Sequence, residues 1–429
     1  MVGNLIKQAE KLALSHFTNI LIIGGSYGGV TALKTIRDLL KTKQEENKLN
    51  GGDEKFRVTM IEPRDGFLNL IAIPRTLVDM EFCNSQYYKY SEIGGLGIHK
   101  VIDSKGEVLT MNNEENKHDE FEICCIQGKV TNVTEKQATF KIGDQEKTQA
   151  INFDYVILAS GRDRNYPVTP AATTKPAFLE EMKVFYEGIS DEKVKTVSII
   201  GAGAVGIELA GEFKHFFPNK HVNLIHPHPT FPPEPLPEEL KEKTKESLEK
   251  ANVDIHCNTR IKLELPNGDL ETTTGEIIKS DLNYWSTSKY NNIKIVDEDL
   301  RSQFVTKDSS LKVNDYLQLS NDEITVPNFF CIGDIADLPI IKTAGWAVFM
   351  AALVSKNIIS HYFEEEMKEK FPPTDKLPIG ILLVAGNGDV ISSNQTDVEL
   401  NNPEYVEMYK DYRFSSTFKY LKLELPSDN

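Results

Sequence analysis

The sequence predicts an α/β protein in which one strand–turn–helix unit is inserted into another of the same kind. Three observations predict this class. Residues 19–38 pass from an apolar run through a glycine-rich turn into a helical pattern, and residues 197–212, VSIIGAGAVGIELAGE, repeat that order. A third apolar run, within residues 326–337, lies far downstream and would return the chain to the first sheet. Such alternation of strands and helices favours parallel sheets with both faces covered.

The first glycine-rich turn has the context of a Rossmann-type dinucleotide fingerprint, because it follows a buried strand and opens a helix. Gly24 would make the tight turn, while Gly28 and Gly29 would let the helix pack closely on the strand. The helix N-terminus then offers free N–H groups to a pyrophosphate. Ser26 stands where the fingerprint has its middle glycine, which weakens the motif without removing it. The candidate binding residues here are Gly24, Gly25, Ser26, Tyr27, Gly28 and Gly29.

The strand after this helix reads FRVTMIE and ends at Glu62. A carboxylate at that point is expected to accept the hydroxyls of an adenosine ribose. Glu62 follows Gly24 at a greater distance than the ~20 residues typical of the fingerprint. We attribute the excess to a polar loop insertion over residues 41–55. A solvated strand end is the alternative interpretation of Glu62.

The second turn carries the complete fingerprint Gly201-x-Gly203-x-x-Gly206. The next strand, HVNLIH, ends at His226 and has no acidic residue there. Without a carboxylate to bind a ribose 2′-hydroxyl or to repel a 2′-phosphate, a preference for NADH is not enforced. The sequence therefore predicts NADH or NADPH at this site. His226 either contacts the nucleotide or is a loop residue without a ligand.

Further segments join the two fingerprints. Residues 153–161, FDYVILASG, form a buried strand that ends in a turn at Ser160 and Gly161. The segments FEICCIQGKVTNV and QATFKI alternate with a period of two and predict a β-meander. The downstream strand places Asp334 directly after Gly333. An aspartate in such a place is often a helix N-cap, which is the alternative to a role in binding.

The order of these motifs resembles the pyridine nucleotide-disulfide oxidoreductases, a superfamily of flavoproteins with two dinucleotide-binding domains. The motifs that carry the resemblance are GGSYGG, Glu62, VILASG, GAGAVGIELAGE and CIGDIAD. Residues 68–79, 125–133 and 410–422 are similar, more closely, to the apoptosis-inducing-factor-like branch that includes ferroptosis suppressor protein, and especially to its fungal members. The resemblance covers about residues 18–422.

This resemblance implies that the first site binds FAD and the second binds NADH or NADPH. It matches Arg75 to an arginine that approaches FAD, and Val130 to a residue whose backbone touches the adenine. Asp334 matches an aspartate that binds the ribityl and pyrophosphate part of FAD. Lys342 and Thr343 would lie at a helix start beneath the isoalloxazine ring.

The resemblance implies two catalytic candidates, Glu208 and Lys342. Glu208 matches a glutamate near the nicotinamide, with an ordinary helix-face carboxylate as the alternative. Lys342 would place a cation near the flavin and stabilise the anionic reduced ring. Hydride transfer to a flavin needs no acid–base pair, so none is assigned. The chain departs from the family at Ser288, where a glycine is usual.

The implied domain order is an FAD-binding domain interrupted by an NAD(P)H-binding domain. The FAD-binding domain comprises residues 17–165 and 301–362, and the NAD(P)H-binding domain comprises residues 166–300. A smaller α+β region would occupy residues 363–429.

The positions of the cysteines bear on which acceptor takes the electrons from the reduced flavin. The five cysteines are Cys83, Cys124, Cys125, Cys257 and Cys331, and no two have the C-x-x-C or C-x-x-x-x-C spacing of a redox dithiol. The flavin would therefore pass electrons to a diffusible acceptor, and we favour a quinone over oxygen or a partner protein. A redox-sensing or cell-death effector flavoprotein with slow turnover is the alternative function.

Bulk properties restrict the partners. A net charge of −16 argues against nucleic-acid binding. Apolar residues at helical spacing in residues 5–13 predict a helix that lies on a membrane surface or packs on its own domain. No metal site, secretory signal or membrane-spanning stretch is predicted. We expect a cytoplasmic protein, with peripheral contact to mitochondrial or lipid-droplet membranes as an alternative, and the oligomeric state stays open.

Overall fold

A computed structural model describes residues 17–46, 49, 55–111, 114–143, 145–364, 366–386, 388–394 and 397–426. The helix predicted over residues 5–13 lies outside these ranges. Within them, no helix combines the length and the apolar character needed to cross a bilayer.

The described residues form strands and helices that we number in chain order. The strands are β1 Phe17–Ile23, β2 Lys55–Glu62, β3 Gly66–Leu68, β4 Tyr87–Lys89, β5 Lys100–Ile102, β6 Val108–Thr110, β7 Phe121–Val133, β8 Gln137–Ile142, β9 Thr148–Asn152, β10 Tyr155–Leu158, β11 Arg162–Arg164, β12 Thr196–Ile200, β13 His221–Ile225, β14 Asp254–His256, β15 Ile261–Glu264, β16 Leu270–Thr272, β17 Ile277–Ile278, β18 Leu282–Trp285, β19 Ser288–Asn291, β20 Gln318–Ser320, β21 Thr325–Cys331, β22 Gly380–Ala385, β23 Asp389–Asn394 and β24 Asp397–Leu400. The α-helices are α1 Tyr27–Glu45, α2 Ile73–Thr76, α3 Met80–Asn84, α4 Lys175–Ser190, α5 Ala204–Phe216, α6 Glu238–Lys250, α7 Glu298–Phe304, α8 Ala344–Glu364, α9 Pro403–Tyr409 and α10 Phe414–Tyr420. Single 3₁₀ turns cover Leu70–Ala72, Tyr90–Glu92, Glu114–Asn116, Gly333–Ile335 and Thr374–Lys376.

The first unit is built on a ten-stranded sheet whose main path runs β20-β21-β10-β1-β2-β7-β5-β6. Strand β1 pairs in parallel with both β2 and β10, and β21 adds in parallel to β10. Ile20 and Ile22 face one core, which also contains residues of α1 and α8, whereas Leu21 and Ile23 face another. Burial on both faces explains why this strand reads as a continuous apolar run.

The predicted β-meander is present, but its first strand has two roles. Residues 121–127 of β7 extend the parallel sheet beside β2, and residues 128–133 pair antiparallel with β8. The neighbouring Cys124 and Cys125 pack into different cores, one on each face of the strand. This agrees with the alternation of side chains along a strand.

The second unit is a four-stranded parallel sheet in the order β14-β13-β12-β18. Its central strand β12 leads through the second glycine turn into α5, as the fingerprint predicts. The two chain segments that connect the units, β11 and β19, pair antiparallel with each other. The predicted α/β class with two Rossmann-type units is confirmed.

Three predicted boundaries fall within helices or strands of the structure, and the domain limits themselves stay predictions. The polar segment 41–55 is not entirely a loop, because α1 continues to Glu45 and β2 begins at Lys55. The boundary between residues 300 and 301 falls inside α7, where Leu300 and Phe304 pack in the first unit's core. The boundary between 362 and 363 falls inside α8, which ends at Glu364.

The C-terminal region packs against both units. Its sheet β22-β23-β24 lies on α5, where a Cβ on Gly211 would come within 2.8 Å of the Gly386 nitrogen. The Ser247 hydroxyl on α6 donates to Asp389 at 2.7 Å. On the first unit, Phe414 and Phe418 of α10 pack in the core that contains α1. The region therefore ties the two sheets together.

Candidate active site

A cleft of about 1670 Å³ lies between the first unit, the second unit and the C-terminal region. It opens at the carboxyl ends of parallel strands, where α/β sheets bind their ligands. Pockets for one small ligand are typically ~300–1,000 Å³. The cleft therefore has room for more than one ligand of that size.

The first glycine turn is shaped for close approach. Gly24 has φ +103°, and a Cβ there would come within 2.4 Å of the Ala159 carbonyl oxygen. A Cβ on Gly25 would lie 2.1 Å from the Tyr90 hydroxyl. Ser26 precedes α1 with extended backbone, and its hydroxyl makes no capping bond to the helix. The first N–H groups of this 19-residue helix thus face the cleft without a side-chain cap, as pyrophosphate binding requires.

Glu62 lies at the end of β2, lines the cleft and is 8% exposed. Its Oε2 accepts the Gly25 N–H at 2.8 Å, and its Oε1 accepts the backbone and guanidinium N–H groups of Arg64 at 3.2 and 3.4 Å. The carboxylate is therefore fixed beside the turn. Its contact with a ribose stays a prediction.

The second glycine turn has the same geometry as the first, but a histidine takes the place of Glu62 beside it. Gly201 has φ +110°, and a Cβ on Gly206 would come within 1.8 Å of the Gly201 carbonyl oxygen. The Ala202 N–H donates to His226 Nδ1 at 3.2 Å, just as Gly25 donates to Glu62. Burial, reinforced by His228, lowers the pKa of His226 to about 4, so the ring is neutral at pH 7.

Glu208 on α5 lines the cleft as a buried carboxyl group. Burial, and then the charge of Glu212, raise its pKa to about 8, against the opposing effects of the Val384 N–H and of Arg164. Lys342 lines the same cleft, and its Nζ donates to the Ala336 carbonyl at 2.6 Å. Burial lowers the pKa of Lys342 to about 8 although Asp334 and Asp337 oppose it.

Apart from Arg75, the predicted site residues fall into two groups, those that line the cleft and those that do not. The structure brings most of them to the walls of the cleft: Gly24, Gly25, Ser26, Tyr27, Gly28, Glu62, Val130, Ser160, Gly161, Glu208, Gly333, Asp334, Lys342 and Thr343. Gly29, Gly201, Gly203, Gly206 and His226 do not line this cleft. Asp334 lies in the Gly333–Ile335 turn, well before α8, so it is not the N-cap of that helix.

Arg75 is not among the residues that line the cleft, and its expected approach to FAD stays a prediction. Arg75 binds Glu212 through Nη2 at 2.9 Å and donates to the Lys410 carbonyl, away from the cleft walls. The arginine that does line the cleft beside Glu62 is Arg64. Its place two residues after the strand end was a usable signal. Tyr409 and Arg413 of the C-terminal region also line the cleft, and the sequence alone offered no signal for them.

All five cysteines are free and lie elsewhere in the structure. Cys83, Cys124, Cys125 and Cys331 are buried, and Cys257 is half-buried beside α6. Burial raises the pKa of each thiol, so none is an activated thiolate. The walls of the cleft, in the part of the chain that the structure describes, contain no cysteine.

Two dinucleotide turns, a fixed Glu62 and a cleft shared between two parallel sheets define an α/β oxidoreductase with two dinucleotide-binding units. A family model of the pyridine nucleotide-disulphide oxidoreductases matches residues 18–352, and the chain belongs to this family. The glycine turns and the free helix N-terminus fit FAD in the first unit and a pyridine nucleotide in the second. The protein is an FAD- and NAD(P)H-dependent oxidoreductase.

Individual relatives agree with this assignment. Oxidoreductase OXR1 of Ajellomyces capsulatus is 26% identical over 432 residues, covering 94% of this chain and 88% of the relative. Ferroptosis suppressor protein 1 of Taeniopygia guttata is 24% identical over 393 residues, covering 89% of each chain. The solved structure of NDH2 from Plasmodium falciparum has a TM-score of 0.66 at 15% identity, covering 95% of this chain and 98% of the other. The resemblance to the branch with ferroptosis suppressor protein and fungal oxidoreductases is confirmed.

Proposed function

We propose that the protein transfers two electrons from NAD(P)H to a diffusible acceptor, and that this acceptor is a quinone. The observation that carries the proposal is the composition of the shared cleft. Besides the first glycine turn and Glu208 of α5, its lining includes the apolar side chains of Trp346, Phe349 and Ile381. Aromatic and aliphatic side chains of this kind suit a flat, apolar ring. The positions of the five cysteines support direct transfer rather than a dithiol relay.

The reaction balances as NAD(P)H plus a quinone plus one proton giving NAD(P)⁺ plus a hydroquinone. Bound FAD would supply the ability to take a hydride and to release electrons to the acceptor. The chain contributes position and electrostatics. The glycine turns would hold the phosphates, Lys342 places a cation in the cleft, and Glu208 stays neutral below about pH 8.

Anaerobic reduction of the purified holoprotein by NADH and by NADPH, followed by addition of acceptors, tests this proposal. We expect the flavin absorbance to bleach with either nucleotide and to recover within the turnover time on addition of a short-chain ubiquinone analogue. Reoxidation by oxygen alone, with no response to quinones, would contradict the quinone acceptor. A long-lived complex of reduced flavin with NAD⁺ would instead support the redox-sensing alternative.

The proposed binding of FAD at the first site can be tested by a substitution at Asp334. Asp334→Ala should lower FAD occupancy, because the ribityl and phosphate region would lose a positioned acceptor. The measurement is the ratio of flavin to protein absorbance after purification. Asp337→Ala is a suitable control, since Asp337 follows the same turn but does not line the cleft. A colourless wild-type protein that cannot be reconstituted with FAD would contradict the assignment of this site.

A further inference from the structure

The backbone makes an unusual corner between α9 and α10. Tyr412 and Arg413 are consecutive residues with φ of 51° and 63°, in the left-handed region that disfavours residues with a Cβ. Neither is a glycine or an asparagine, which adopt this conformation most readily. A strained corner that persists must be held by its surroundings, and such corners concentrate at functional sites.

The surroundings of Tyr412 hold the corner in place. Tyr412 is fully buried, and its hydroxyl donates to Glu212 of α5 at 2.6 Å. The Asn69 side chain of the first unit donates to the carbonyls of Asp411 and Tyr412, both at 3.3 Å. The Arg75 guanidinium lies 5.2 Å from the centre of the Tyr412 ring. The corner is thus fixed to both units at once.

This corner places Arg413 on the wall of the cleft. Burial raises the pKa of the Tyr27 and Tyr409 hydroxyls, and the positive charge of Arg413, which also hydrogen-bonds Tyr409, opposes that rise. Tyr409 and Glu208 line the same cleft, and the charge of Glu208 adds to the rise in the pKa of Tyr409. The Nε of Arg413 is buried and has no hydrogen-bond partner among the described residues. The Nε–H is enclosed by protein, so the half-buried guanidinium would reach a ligand in the cleft through its terminal nitrogens.

We propose that Arg413 is a binding residue for the electron acceptor and donates a hydrogen bond to a quinone carbonyl oxygen. The inference rests on the proposed function. Arg413 belongs to the C-terminal region, outside the glycine turns that hold the two nucleotides. Ser416 and Tyr420 of the same region and the apolar Ile381 line the cleft as well. A quinone oxygen gains negative charge on reduction, so a fixed guanidinium stabilises the product-like state more than the ground state.

The left-handed backbone permits an unusually clean test. Arg413→Gly removes the guanidinium and also relieves the strained φ, so the melting temperature should stay constant or rise while acceptor turnover falls. We expect kcat/KM for a short-chain ubiquinone analogue to fall ~10- to 100-fold, the range for losing a charged hydrogen bond. The rate of anaerobic flavin reduction by NADH should change less than ~3-fold, a small fraction of that effect. Arg413→Lys should recover part of the loss.

Lys422→Gly is the matched control. Lys422 is an exposed cation with φ 53° in the same region, and it does not line the cleft. This variant should leave both half-reactions unchanged. Equal losses in flavin reduction and in quinone turnover for Arg413→Gly would overturn the inference, as would unchanged quinone turnover. Failure of the wild-type protein to reduce any quinone would instead count against the proposed function.

Discussion

Glu62 and His226 occupy corresponding positions in the two units. Each lies at the carboxyl end of the second strand of its unit, and each accepts the N–H of the second residue in its glycine turn. A carboxylate that accepts this bond keeps a second oxygen for a ribose hydroxyl. An imidazole that accepts through Nδ1 keeps only an N–H donor at Nε2. The difference between the two residues therefore bears on nucleotide selection.

We expect wild-type kcat/KM values for NADH and NADPH to agree within ~100-fold, about 2.7 kcal/mol. His226→Glu should shift the preference towards NADH by ~10-fold or more, because a carboxylate binds the 2′-hydroxyl and repels a 2′-phosphate. Steady-state kinetics with both nucleotides measures this shift. His215→Glu, an exposed position in the last turn of α5, is the control for added negative charge. An unchanged preference in the His226 variant would place this residue outside the nucleotide site.

Glu208 should make stability depend on pH. Its folded pKa of about 8 lies above the ordinary value of 4.5, so the native state holds the proton more tightly than the unfolded chain does. The contribution is complete below about pH 4.5 and is lost as the pH rises to about 8. Glu208→Gln removes this dependence. From pH 5 to pH 8 the free energy of unfolding of the wild type should fall by a few kcal/mol, roughly, relative to that of the variant. Parallel stability curves from denaturant titration at both pH values would contradict the raised pKa.

At the scale of elements, local patterns predicted the strands and helices that bind the nucleotides. β1, β12 and β21 are apolar runs bounded by glycine, and both fingerprint helices begin where the turn predicts. Contacts between distant residues left no such pattern. The corner at Tyr412 is held by Asn69 and Glu212, which are far away in the sequence. The partner of Arg75, Glu212, is also distant in the sequence, so no local pattern could predict this ion pair.

The first glycine turn offers a prediction for an element. Gly25→Ala should reduce FAD content several-fold, because the new Cβ would lie 2.1 Å from the Tyr90 hydroxyl and the turn would have to shift. Adding Tyr90→Phe should recover part of the content, since it removes that atom but leaves the ring carbon 2.9 Å away. Flavin absorbance per protein measures both. Gly188→Ala in α4 is the control, because a Cβ there meets nothing within 4 Å. Full FAD content in Gly25→Ala would show that the turn is not in contact with the flavin nucleotide.

At the scale of the whole molecule, three regions of the chain line one cleft. The first unit supplies Glu62 and Asp334, the second supplies Glu208, and the C-terminal region supplies Arg413. The paired connecting strands β11 and β19 and the C-terminal sheet fix these regions relative to one another. An acceptor bound in this cleft would lie beside the first glycine turn and Glu208, so electron transfer from the flavin would need no thiol relay. This arrangement makes a clear prediction about the thiols.

A variant with all five cysteines changed to Ser or Ala should keep most of its NAD(P)H:quinone activity. The thiols lie in the cores or beside α6, outside the cleft, and Cys124 and Cys125 point into separate cores. Ala is the better choice at the four buried sites, because a serine hydroxyl there would lack a partner. Cys331 packs in the strand that leads to Asp334, so its replacement can lower FAD binding indirectly. Activity must therefore be expressed per bound flavin. A flavin-replete variant that lost activity more than ~100-fold, about 2.7 kcal/mol of transition-state stabilisation, would place a thiol on the electron path and contradict direct transfer to the acceptor.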